Sequence, residues 1–145
     1  MKNVSSEAQN NMQEYKTIFP IGNQMPKEYS QYFKGQAYLN MLTTEGVTVM
    51  NVTFEPSCRN NWHIHHGGGQ ILMAISGKGY FQLEGKEVQI LNPGDIVQIP
   101  VDVKHWHGAS RNSMFTHLAI EIPADNYSTE WLDQVSDEDY LTIEL

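Results

Sequence analysis

At 145 residues, a net charge of −8 and an isoelectric point near 5.1, the chain is sized for one domain and has the wrong sign for a nucleic-acid groove or an anionic membrane surface. Two arginines, Arg59 and Arg111, are too few for a phosphate clamp; the single cysteine, Cys58, excludes an internal disulfide framework and fits a reducing compartment. The N-terminal stretch lacks an apolar signal region, and no run approaches the roughly 20 apolar residues that span a bilayer, so a cytoplasmic location is expected.

Residues 1 to about 15 are rich in Asn, Gln and Ser and are expected to be partly disordered, within an N-terminal arm over 1–35. From Gln36 short β-rich runs are separated by turn residues every eight to twelve positions, the pattern of a sandwich or barrel. Strands are predicted over 36–43, 47–55, 62–66, 70–76, 79–84, 87–91, 95–99, 104–109 and 113–122, inside a barrel domain over 36–124. The segments between them, among them PSCRNN, GGG, SGKG, NPGD and SRNS, carry local turn chemistry. In VTVMNVTF, Met50, Val52 and Phe54 share one face, and Met50 and Val52 are candidate pocket residues. Helical character is confined to the tail, 125–145, where WLDQVSDEDY (131–140) predicts a short turn or helix with Ser136 as N-cap and acids after it.

The chemistry concentrates in NWHIHHGGGQIL (61–72) and in His-Trp-His at 105–107. Residues two apart on a strand point the same way, so His63 and His65 converge while His66 faces outward. Two His-X-His strands facing each other in a small barrel make a metal site. Neutral imidazoles suit Mn, Fe, Co, Ni, Cu or Zn. The glycines 67–69 are read as a sharp turn that brings Gln70 back toward that site.

These residues resemble the two motifs of the cupins, over about residues 45–122. In the first, Ser57 stands at the usual Gly position and is followed by His63, His65, Gln70 in place of the usual glutamate, and Gly77. In the second, Gly94 and Pro100 are followed by Asp102 in place of Gly, His105, and Ala109 in place of Asn. The resemblance implies an all-β cupin jelly-roll barrel (a double-stranded β-helix) with an irregular N-terminal arm and a short C-terminal helix. It also implies a divalent transition metal, Mn or Fe favoured over Zn, Ni, Co or Cu, on His63, His65, Gln70 and His105. With Gln70 the ligand set is neutral, which makes the ion more Lewis acidic; the amide either ligates through Oε1 or hydrogen-bonds a metal-bound water. Segments 63–70, 104–109 (KHWHGA), 116–120 (THLAI) and 131–140 further resemble carboxymuconolactone decarboxylase-associated cupins and manganese-dependent bacterial hydroxynitrile lyases.

Two further histidines are candidate proton-moving catalytic residues. His107 shares a strand face with His105, and His117 shares one with Phe115, Ala119 and Glu121, the last a candidate pocket residue. The expectation is a metal-dependent enzyme on a small carbonyl or hydroxy substrate, with lyase chemistry ahead of a dioxygenase, and a non-catalytic sensor barrel as the rival. Apolar residues on both faces of 113–122 predict a homodimer; no nucleic-acid or membrane partner is expected.

Overall fold

The computed structural model describes residues 15–143, so the loose segment expected before residue 15 lies outside the described residues. In chain order the elements are β1 (Asn23–Gln24), α1 (Lys27–Ser30), β2 (Phe33–Lys34), β3 (Ala37–Thr43), β4 (Val49–Phe54), β5 (Arg59–Asn60) and β6 (His63–His66). There follow β7 (Gln70–Gly77), β8 (Gly79–Leu83), β9 (Gln89–Leu91), β10 (Ile96–Ile99), β11 (His105–Ala109), β12 (Phe115–Glu121), β13 (Ser128–Trp131) and α2 (Asp137–Leu141). One sheet runs β1-β3-β4-β12-β7-β10; the other runs β13-β6-β11-β5-β2, with β8 beside β11 and β9 beside β8. Every strand pairing between them is antiparallel. The two sheets close on each other as an all-β jelly-roll barrel, with no helix among the described residues long and apolar enough to cross a membrane.

Period-two alternation builds the interior. In β7 the odd members Gln70, Leu72, Ala74 and Ser76 are buried and the even ones half-exposed. Phe54, Leu72, Phe81, Ile99 and Phe115 pack the centre of the barrel. A second apolar cluster, Tyr80, Trp106, Val135 and Tyr140, seals the tail against the other sheet. Arg59 anchors it, donating to the Val135 carbonyl at 2.8 Å, pairing with Asp137 at 2.7 Å and lying 4.2 Å over the Tyr140 ring. The helix in the tail is shorter than the sequence pattern allows. Ser136 caps it by accepting from the Asp139 N–H, while Trp131 belongs to β13 instead.

The two motif positions that lack glycine keep the backbone glycine would adopt: Ser57 has φ 71° and Asp102 φ 62°. Asp102 also accepts from His66 at 2.7 Å, so its side chain contributes where a glycine could not. The triple glycine works by close approach more than by turning. A Cβ at Gly68 would lie 2.4 Å from the Ile122 carbonyl oxygen and one at Gly69 2.5 Å from that of Ile99. Gly77 is tighter still: φ is +77° and a Cβ would sit 1.8 Å from the Met114 carbonyl oxygen. Gly77→Ala is therefore expected to cost more than about 3 kcal/mol, read as a lowered urea midpoint. A midpoint unchanged from wild type would contradict this packing.

Candidate metal centre and cavity

Two strands assemble the centre. His63 and His65 come from β6 and His105 from β11, where His105 pairs in register with His63. Their ligand nitrogens all lie within 4.8 Å of one another, and all three side chains are buried. The ring orientations are fixed from behind. His63 Nδ1–H donates to the Asn61 carbonyl at 2.8 Å and His105 Nδ1–H to the Val103 carbonyl at 3.0 Å. Each bond leaves the Nε2 lone pair free. His65 Nδ1 shares hydrogen bonds with the Tyr127 hydroxyl at 2.9 Å and the Thr129 hydroxyl at 3.3 Å. The Nε2 atoms of His65 and His105 are buried without a hydrogen-bond partner. Buried acceptors left open in this way, on three converging neutral rings, fit a divalent cation.

Electrostatics agree with that fit. Burial first, then the neighbouring histidines, holds His63 well below the ordinary imidazole value; burial first takes His65 and His105 to about 4. His107 and His117 are lowered by burial too, His117 to about 4. All five stay neutral in the folded, metal-free chain where the unfolded chain, at about 6.5, takes up protons. The unfolded state binds more protons between about pH 6.5 and 4, so stability falls as pH drops through that window. Thermal melts of chelator-treated protein are expected to show this steady loss; a flat profile would rule out a neutral cluster.

Gln70 opens β7 with its side chain buried beside the His65 ring, and Glu121 stands opposite it in the β12–β7 register. Both line one cavity of about 140 Å³, together with His63, His65, His107, His117 and Asn60. His105 does not line it; its ring sits 4.1 Å from that of His63. Met50 and Val52 from β4 form part of the apolar wall. Burial raises the Glu121 carboxyl, and Glu121 is the one carboxylate on the lining. On the far wall His107 and His117 are fully packed, with His117 Nε2 3.2 Å from His107 Nδ1. A register shift in the β12–β7 pairing falls at His117, the sort of irregularity that aims a side chain at an interior site. His66 faces outward, held by Asp102 and Glu130, which raise its pKa. Cys58 is buried with its thiol pushed well up, as an unreactive side chain is.

Several cavity residues were not anticipated from the sequence. Met25, Tyr29, Phe33 and Leu39 from the arm and β3 complete the apolar wall, and Thr129 and Trp131 arrive from β13. Trp131 is sandwiched between Tyr32 (4.5 Å, 3° between planes) and His63 (4.6 Å, 30°). Their signal was present: Tyr127, Thr129 and Trp131 recur at every second residue, which is strand periodicity. Asn60 read as a turn residue and instead occupies β5, buried against His107.

The fold and site thus define a class: a β-barrel with an interior histidine cluster suited to a divalent cation. The chain belongs to the cupins, with residues 50–120 matching the cupin domain. It is 43% identical over 90 residues to an (R)-mandelonitrile lyase of Granulicella tundricola, covering 62% of this chain and 68% of that one. A 35% match over 67 residues links it to an acireductone dioxygenase of Bacillus licheniformis, covering 43% of this chain and 37% of the relative. The crystal structure of a cupin-like protein from Thermotoga maritima superposes with a TM-score of 0.74 at 37% identity, over 86% of this chain and 95% of that one.

Proposed function

We propose that the chain is a metal-dependent lyase that breaks or forms a carbon–carbon bond beside a hydroxyl or carbonyl group, in the manner of cyanohydrin cleavage. The observation that carries this reading is one apolar cavity with two kinds of polar end: the His63–His65–His105 cluster with neutral Gln70, and the His107–His117 pair. At about 140 Å³ the cavity matches the roughly 150 Å³ void that takes up a single benzene. Mandelonitrile, the compound named for the Granulicella relative, carries one such ring, with a hydroxyl and a nitrile beyond it.

A divalent cation, Mn or Fe in this proposal, would supply Lewis acidity toward a substrate oxygen when held by His63, His65 and His105 with Gln70 beside it. Met50, Val52 and the aromatic side chains of the arm hold the ring and exclude water. His107 and His117, neutral at working pH, handle the proton that passes between hydroxyl and departing carbon. Met73 and Leu118, paired in register on the outer face of the first sheet, and Ile96 beside them are the surface this proposal gives to a second copy of the chain.

The test is cyanide release from mandelonitrile under strictly anaerobic conditions by protein loaded with Mn or Fe. Release without oxygen supports the lyase. No release, with oxygen consumed on a diketone or phenolic substrate, would replace it with dioxygenase chemistry, to which the Bacillus relative's name points.

A further inference from the structure

Glu121 is the one carboxylate on a cavity lining that is otherwise apolar or neutral. Its backbone is clamped from both sides: the Glu121 N–H donates to the Thr48 carbonyl at 3.1 Å and the Ile122 N–H to the Gly69 carbonyl at 3.0 Å. On β12 it follows His117 and Ala119 at every second residue, and all three line the cavity, so they share the inward side of the strand. Across the register stands Gln70, an amide without charge. Among the described residues no Lys or Arg lines the cavity, and the Glu121 carboxylate makes no ion pair and no hydrogen bond. The histidines of the lining are neutral, so no cation of the chain balances it. A half-buried carboxylate left unpaired beside apolar side chains costs folding free energy, and it gives the fold nothing that glutamine would not.

We infer that Glu121 is a specificity-determining residue that filters guests by charge, turning small anions such as carboxylates away and leaving the cavity to uncharged molecules. Like charges roughly 6 Å apart at an effective dielectric of about 20 weaken binding on the order of 100-fold, and half-exposure brings this nearer to about 10-fold. The filter has a purpose in this site. Neutral donors leave the charge of a bound cation uncompensated and attractive to any small anion, and a fixed carboxylate in the same cavity counters that pull. This deepens the lyase reading by restricting its substrates to uncharged hydroxy or carbonyl compounds, and it rests on that reading only for the reaction. The filter itself belongs to the metal-free chain.

The experiment measures binding of three probes of one shape, benzamidinium, benzamide and benzoate, to the full-length, metal-free protein at low salt. Proton–nitrogen correlation NMR follows the Ala119 and Thr129 amides of the cavity wall. At about pH 8 the Glu121 carboxyl, though raised by burial, is ionised. Wild type is expected to bind benzamidinium about 10-fold or more tightly than benzoate. Loss of hydration weakens both ions and largely cancels in that ratio. In Glu121→Gln the ratio is expected to fall about 10–100-fold, with benzamide unchanged. Benzoate bound as tightly as benzamidinium by wild type, or no probe shifting the cavity amides, overturns the filter. An unchanged ratio in a folded Glu121→Gln overturns the role of Glu121. Should that variant fail to fold, the wild-type ratio still decides. No turnover is read, so failure of the filter and absence of cyanide release are separate results.

Discussion

Replacing His105 with alanine is expected to reduce the metal content of the purified protein from about one equivalent to less than about a tenth. The donors are three imidazoles and an amide, none of them charged, and Glu121, the carboxylate of the cavity lining, is not in the cluster, so the remaining donors hold a cation without Coulombic attraction once a ring is lost. Disturbing groups that merely orient metal ligands costs about 10–100-fold in affinity, and removing a donor outright should exceed the upper figure. Elemental analysis after loading with Mn or Fe gives the stoichiometry, and titration calorimetry the affinity. The fold should tolerate the change, because the hydrogen bond it removes, from His105 Nδ1–H to the Val103 carbonyl, is local, two residues away along the chain. A full equivalent retained by His105→Ala, or no uptake by wild type, would end the metal-centre reading.

A rate loss of about 10²–10⁴-fold is expected for His117→Ala in cyanide release, with metal stoichiometry unchanged. His117 lines the cavity from β12, fully buried, and its ring packs against that of His107, which is not among the metal donors. Its removal should therefore spare the cation and strip the cavity of the group that ends the histidine pair. The two variants separate the functions: one loses metal and activity together, the other loses activity alone. A His117→Ala protein with wild-type turnover, or one that also loses its metal, would contradict this division.

The barrel was legible because its strands alternate and its turns are punctuated. β4, β7 and β12 fall within the runs 47–55, 70–76 and 113–122 to within a residue or two, for the reason that half-buried strands must alternate. The convergence of His63 and His65 and the outward turn of His66 follow from the same period of two. Four short strands escaped notice. β1, β2 and β5 are two residues long, too short to show a period. β13 has one, running from Tyr127 just before the strand through Thr129 to Trp131, but these residues sit among polar ones and lack the aliphatic run that marks a strand. Asn60 was invisible for a different reason. Its meaning lies in two hydrogen bonds to a residue 47 positions away, and nothing local encodes them.

Trp131 between Tyr32 and His63 has a consequence for how such a protein can change. The donors His63, His65 and His105 all lie within the stretch 50–120 that defines the cupin domain. Met25, Tyr29, Phe33 and Leu39 precede that stretch, while Glu121, Thr129 and Trp131 follow it. The proposed cation donors thus lie wholly within that stretch, while the cavity wall is shared between it, through Met50 and Val52, and the flanks. Substitutions in the flanks can retune selectivity while the gripping residues stay as they are. The ring stack is the hinge between the two vocabularies: it is the point where a change of guest would first be felt by the grip.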